Sequence, residues 1–327
     1  MRILNSPAKA NGGNPKKPDR LLDCHLRRQR RPDRAQTDSR AVSSVQGKLM
    51  PATFRVIGFA RREKTDAGWR QELRTALDQF SRTKTVDEKI WAAFSENIFY
   101  CVGDLTDDTA YAKLEKQLGS FGNADLRNNL LFYLAISPSQ FGDVVERVHR
   151  SGLLKKDGPG WQRLVVEKPF GHDLASAQAL NQELTRYAHE SQVFRIDHYL
   201  GKETVQNILM FRFSNSIFER LWTRESVDSI QITVSEKIGV GDRGGYYEEA
   251  GALRDMVQNH MLQVLSLIAM EPPVSLEAEA VRDEKVKLLK SIRPLTPEDV
   301  AKQIVRGQYF AGAVGDQMRP GYRQETK

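Results

Sequence analysis

Short apolar runs and amphipathic stretches alternate through the middle of the chain. Phe54 to Arg62 reads as a buried strand closed by two arginines, and Ile98 to Asp104 as the next strand. Asn129 to Ile136 is apolar almost throughout, the pattern of a strand covered on both faces of a parallel sheet. Trp69–Phe80, Val144–Leu154 and Leu174–Ser191 carry apolar residues at helical spacing. Leu164-Val-Val-Glu-Lys-Pro-Phe-Gly171 is a further short strand ending in a charged pair, with Pro169 able to hold a cis bond in a tight turn. Strands and helices alternating at these lengths predict a doubly wound α/β sheet.

The pattern changes after residue 203. Asp228 to Glu236 alternates as a strand of a half-exposed sheet, a glycine-rich turn spans 239–245, and a long helix follows. That helix carries Arg254-Asp-Met-Val-Gln-Asn-His260 and continues apolar through Leu262, Val264, Leu265 and Ile268.

The chain has 327 residues and a net charge of +7, which raises the question of nucleic acid. Residues 1–48 hold twelve Lys/Arg against four Asp/Glu, leaving 37 basic and 38 acidic residues in the remainder. The basicity therefore belongs to a leading arm rich in Pro, Ser and Gln, which reads as disordered. No nucleic acid is expected as a partner. No run is apolar enough to span a membrane and the start lacks a signal-peptide core, so a cytoplasmic protein is expected. Cys24 and Cys101 make neither a disulfide framework nor a metal-ligand spacing.

Three clusters carry candidate chemistry. Arg195-Ile-Asp-His-Tyr-Leu-Gly-Lys-Glu203 follows the apolar pair Val193-Phe194, as a strand running into a loop with a helix starting near Gly201. Such an edge holds ligands in α/β proteins. A helix N-terminus bearing Lys202 and approached by His198 suits a phosphate; a polar turn satisfying its own caps is the other reading. In the second cluster, α-helical geometry puts Asp255 and Asn259 on one face and turns His260 away from Asp255 by well over a right angle. If His260 is a base, its orienting carboxylate must come from elsewhere, and Asp197 is the candidate. An amphipathic helix with an incidental histidine is the alternative. In the third, Lys168 projects at a strand's carboxyl end, facing a ligand or merely solvent.

Taken together, EKPFG at 167–171, RIDHYLGKE at 195–203, RFSNSIFERLW at 212–222 and GGYYEEAGALRDMVQNHMLQ at 244–263 resemble the glucose-6-phosphate dehydrogenase family. The resemblance runs from about Leu49 to the last residue. It implies an NADP-binding Rossmann-like domain over 49–197 and a substrate-binding α+β domain over 198–327. It implies oxidation of the C1 hydroxyl of glucose 6-phosphate to the 6-phosphogluconolactone with NADP as hydride acceptor, the first step of the oxidative pentose phosphate pathway. By position, His260 would be the base and Asp197 its stabiliser. His198, Tyr199 and Lys202 would hold the sugar phosphate, Glu236 and Asp255 the ring hydroxyls, and Lys168 would lie between sugar and cofactor. Arg61 would meet the adenosine 2′-phosphate and Asp104 would lie near the adenosine. No metal is required. The family is homo-oligomeric, and this chain is expected to lack much of the interface.

The resemblance fails at both ends. The family opens with a strand and glycine-rich turn, approximately L-T-V-I-F-G-A-S-G-D-L-T-A-R-K-L-I-P-A, whereas this chain has Leu22 to Ala41 in that place. Back-translated and read one base later, His25 to Gln36 can spell I-F-G-A-S-G-D-L-T-A-R, so residues from about 22 to 46 are read as the cofactor loop out of frame. The expected sheet then lacks its first strand, the place being vacant or badly filled, and the second domain is expected to be incomplete. The alternative to an active enzyme is a non-catalytic remnant lacking the pyrophosphate loop and the final sheet.

Overall fold

The computed structural model describes residues 2–5, 51, 53–80, 87–236 and 238–325. They form two compact units, Met1–Ile196 and Asp197–Lys327, which puts the boundary one residue before the expected division.

The first unit is built on six strands: β1 (Arg2–Asn5), β2 (Arg55–Ala60), β3 (Ile98–Val102), β4 (Leu130–Leu134), β5 (Gln162–Val166) and β6 (Val193–Arg195). Their spatial order is β3-β2-β1-β4-β5-β6. The pairs β2·β3, β4·β5 and β5·β6 are parallel. All five residues of β4 are buried, as its unbroken apolar run predicts. Leu130, Phe132 and Leu134 enter one core layer and Leu131 and Tyr133 the other, because successive side chains of a strand point to opposite faces.

Helices cover both faces. Trp69, Leu73 and Leu77 of α1 (Asp66–Phe80) and Phe94 of α2 (Glu88–Ser95) pack with Val56 and Ile98. On the other face, α3 (Asp108–Ser120) contributes Tyr111, Leu114 and Leu118. After the short α4 (Ala124–Asn128), α5 (Phe141–Arg150) adds Phe141, Val144, Val145 and Val148, and α6 (Leu174–Tyr187) adds Leu184. The start of α6 is fixed by a reciprocal cap: Ser176 N–H donates to Asp173 Oδ1 at 2.8 Å and Asp173 N–H to Ser176 Oγ at 3.0 Å.

The central place, expected to be vacant or badly filled, is occupied by β1. This strand runs antiparallel to both neighbours, with Arg2 opposite Gly58 and Tyr133 and Asn5 opposite Arg55 and Leu130. Four residues of the arm expected to be disordered are therefore ordered in the sheet. The reason is the ladder: a gap between β2 and β4 would leave two rows of backbone N–H and C=O groups unpaired, and the backbone of Arg2–Asn5 pairs with both. Residues 6–50, with the segment read as out of frame, lie outside the described residues.

The second unit is mostly helical: α7 (Glu203–Phe213), α8 (Ser216–Leu221), α9 (Gly244–Ala252), a π-helical stretch Leu253–Met261, α10 (Leu262–Ala269), α11 (Ala278–Ser291) and α12 (Pro297–Gln303). Its core gathers Val205 of α7, Leu267 of α10 and Met270, with Val281 and Leu288 of α11 against them. The buried Arg212 ties α7 to the end of α10 by donating to Leu267 O at 2.8 Å and Met270 O at 2.9 Å. Among the described residues its only sheet is the hairpin β7 (Gly312–Val314) with β8 (Gln317–Arg319). The strand expected at Asp228–Glu236 does not form: no described segment pairs with it, and Ile230 stays 44 % exposed. Alternation identifies a segment suited to a sheet, but only a neighbouring strand completes the ladder.

Candidate active site

The site grows out of the end of β6. Ile196 N–H donates to Val166 O at 3.1 Å, the last ladder contact, and the chain then turns. Asp197 Oδ1 accepts from Tyr199 N–H at 2.8 Å, closing a local side-chain turn. Lys202 N–H to Tyr199 O at 3.0 Å and Val205 N–H to Lys202 O at 3.0 Å carry this turn into α7. Lys202 is the residue before the helix, and no side chain caps the exposed N–H groups there. That is the arrangement in which a helix start favours an anion.

The second wall is the stretch that carries His260. It is preceded by a break at Gly251, whose φ of +61° takes the left-handed region open to glycine. Leu253 to Met261 is π-helical. This corrects the α-helical expectation that His260 turns away from Asp255. With hydrogen bonds running i→i+5, residues five apart fall on nearly the same face. Asp255 and His260 are both buried. Asp255 is held by Tyr246, whose hydroxyl donates to Oδ1 at 3.0 Å.

The expected partner of His260 is in place. Its Nδ1 lies 2.6 Å from Asp197 Oδ1, with the two side chains only 3 % and 10 % exposed. An ionised carboxylate only accepts, so with Asp197 ionised the contact is one in which Nδ1 donates. Tyr199 stacks on the imidazole, ring centroids 4.3 Å apart. Lys202 Nζ stands 3.5 Å from the Tyr199 ring centroid, and His198 meets Tyr199 edge-on at 6.1 Å. The Tyr199 hydroxyl points to Glu236 Oε1 at 3.4 Å, the outer limit of a hydrogen bond. Burial, then the Glu236 and Asp197 charges, raise the phenol's pKa and keep it a donor. Seven residues named from the sequence, Asp197, His198, Tyr199, Lys202, Glu236, Asp255 and His260, thus belong to the second unit, six of them in one linked cluster.

Two members of this surrounding were not foreseen. Tyr246, which holds Asp255, stands in one of the segments that carry the resemblance but had no role there. Lys285 of α11 donates to Gln263 Oε1 at 3.1 Å. Burial lowers its pKa, while the Asp197 carboxylate raises it. Its signal was present in the sequence: Val281, Lys285 and Leu288 share one helical stripe, so this lysine stands on the apolar face of α11.

The other candidates lie in the first unit. Glu167 is buried at the end of β5 and accepts a hydrogen bond from the Tyr133 hydroxyl. Half-buried Lys168 follows it, and the Lys168–Pro169 bond is cis. Arg61 is exposed just past the end of β2. Asp104, just past β3, accepts from Thr106 N–H at 2.9 Å and Thr106 Oγ1 at 2.8 Å. Those bonds, and after them the Arg61 charge, hold its carboxyl below the usual range. Arg61 and Asp104 are therefore neighbours at the carboxyl edge of adjacent parallel strands, where α/β sheets bind nucleotides.

Comparison with known proteins agrees with this layout. The model of the glucose-6-phosphate dehydrogenase NAD-binding domain matches residues 42–207, and that of the C-terminal domain matches 209–327. The chain is 45 % identical over 273 residues to glucose-6-phosphate 1-dehydrogenase of Bacillus subtilis, covering 83 % of this chain and 54 % of that protein. It is 46 % identical over 273 residues to the Aggregatibacter actinomycetemcomitans protein of the same name, with the same coverage. A solved glucose-6-phosphate dehydrogenase in complex with its substrate glucose-6-phosphate superposes with a TM-score of 0.77 at 36 % identity, over 89 % of this chain and 58 % of that one. The chain thus spans about half the length of the curated relatives it matches. On these matches, the chain belongs to the glucose-6-phosphate dehydrogenase family.

Proposed function

We propose that the chain oxidises glucose 6-phosphate at C1 with NADP as acceptor, giving the 6-phosphoglucono-1,5-lactone. The observation that carries this reading is the 2.6 Å contact between His260 Nδ1 and Asp197, brought together across 63 residues of sequence. His260 Nε2 takes the proton of the C1 hydroxyl, and Asp197 stabilises the imidazolium that results. General-base help of this kind supplies about 10²–10⁴-fold in rate. Lys202, with His198 and Tyr199 beside it, holds the phosphate at the start of α7. Glu236 and Asp255 accept from ring hydroxyls. Lys168 is read as a ligand of both sugar and cofactor.

NADP supplies the hydride acceptor when bound. The residues present fit its adenosine end, where Arg61 offers a guanidinium fork to a 2′-phosphate. Among the described residues there is no pyrophosphate turn: β1 runs antiparallel, so its carboxyl end does not lie at the ligand edge of the sheet. The alternative reading is a non-catalytic remnant lacking the pyrophosphate loop and the final sheet.

Mixing the protein with NADP and glucose 6-phosphate and following reduced cofactor tests the reading. His260→Asn is expected to lower turnover by at least about 10²-fold while sugar-phosphate binding, measured by calorimetry, survives. Equal loss of both would make His260 structural. Turnover absent from the unmodified chain would favour the remnant. As a location we infer the cytoplasm. Among the described residues, no helix is long and apolar enough to cross a membrane.

A further inference from the structure

The hydroxyl of Tyr199 explains only part of its setting. Its ring lies 21° from parallel to His260 with centroids 4.3 Å apart, and Lys202 Nζ stands 3.5 Å from the same ring centroid. An ammonium that close and a stacked imidazole cannot share one face, so the phenol ring lies between them. The backbone N–H of Tyr199 also bonds Asp197, at 2.8 Å. The residue therefore touches the candidate base, the candidate phosphate ligand and the base's carboxylate.

We propose that Tyr199 is a positioning residue whose ring couples an anion on Lys202 to the proton affinity of His260. This rests on the reading of Lys202 as a phosphate ligand and deepens it. The face of an aromatic ring is the negative side of its quadrupole and attracts a cation. A bare ammonium on one face draws that density to itself and leaves less for an imidazolium on the other. A phosphate dianion that takes up the lysine's charge releases the density toward His260. The imidazole then holds the abstracted proton more firmly while the sugar phosphate is bound. Binding at one end of the substrate thereby strengthens the base at the other, an interaction realised as charge develops on His260.

Other charged groups surround the imidazole, and ring variants leave them in place. They are Asp197 against Nδ1, Asp255 on the same helical face, Glu236 beside the Tyr199 hydroxyl, His198 at its edge, and Lys285 from α11, which interacts with Asp197.

The experiment is an NMR titration of the His260 imidazole in the full chain, with and without saturating inorganic phosphate, whose binding is measured by calorimetry. Phosphate is expected to raise the titration midpoint by about half a unit in the unmodified chain, and equally in Tyr199→Phe, which keeps the ring. The rise is expected to vanish in Tyr199→Leu. Pentafluorophenylalanine at position 199 keeps the ring's size and packing but reverses its face polarity, and should abolish the rise in a protein that folds as before. A rise of the same size in the last two proteins would assign it to the phosphate's own charge and overturn the coupling. Phosphate that binds without moving His260 in the unmodified chain would overturn it as well. Failure of phosphate to bind at all would remove the Lys202 assignment first, and the coupling with it.

Discussion

Asp197 and His260 form a pair that the sequence alone makes legible. The sequence names Asp197 as the carboxylate for a base at His260, and the cluster after β6 brings it to 2.6 Å from Nδ1. The ring sandwich around Tyr199 is not legible in the same way, because its geometry depends on packing between segments 61 residues apart, which leaves no local period. Lys202 gives the direct test at this scale. Its side chain is placed over Tyr199, at the uncapped start of α7, one ring away from His260. Lys202→Ala is therefore expected to raise the KM for glucose 6-phosphate by about tenfold or more, since a hydrogen bond to a charged group contributes roughly 1.5–3 kcal/mol, with a smaller effect on kcat. Steady-state kinetics would measure both, and an unchanged preference for phosphorylated over free sugar would remove the assignment.

At the scale of elements, period decides what can be read. The apolar run of β4 and the helical spacing of α1 and α5 place those elements within a few residues. The π-helical turn escapes that period, since a step of 100° per residue does not hold where the hydrogen bonds run i→i+5. The alternation of Asp228–Glu236 is real, but its ladder has no partner among the described residues. The connection after β5 shows how tightly an element can constrain one residue. Gly171 has φ of +77°, and a Cβ there would lie 2.5 Å from Ala177 N, inside the first turn of α6. Left-handed backbone alone costs about 1–2 kcal/mol in a residue with a Cβ, and the close approach adds to it. Gly171→Ala is expected to destabilise the first unit by about 2 kcal/mol or more, read as a lower urea midpoint. A midpoint unmoved by the substitution would mean that the turn can shift its backbone freely.

The whole molecule turns on the direction of β1. In a parallel nucleotide-binding sheet the first strand ends at the ligand edge, and the glycine turn after it presents backbone N–H groups to the pyrophosphate. Here Arg2 lies opposite Gly58 and Asn5 opposite Arg55, so the strand leads away from that edge. Among the described residues no glycine turn follows this strand at that edge, where Arg61 is exposed just past the end of β2. Two outcomes follow for the chain as it stands. NADP binding should be weak, and Arg61→Ala should remove most of its preference over NAD. Replacing residues 22–46 with L-T-V-I-F-G-A-S-G-D-L-T-A-R-K-L-I-P-A would restore a strand of the right direction in competition with Arg2–Asn5 for the same two ladders. Even one regained charge-assisted bond, at roughly 1.5–3 kcal/mol, corresponds to about tenfold in affinity. Calorimetric titration with NADP should therefore show at least about a tenfold gain. An affinity that stays the same after the replacement would mean that the dinucleotide never depended on the turn, and that the reading of the arm as a displaced cofactor loop is mistaken.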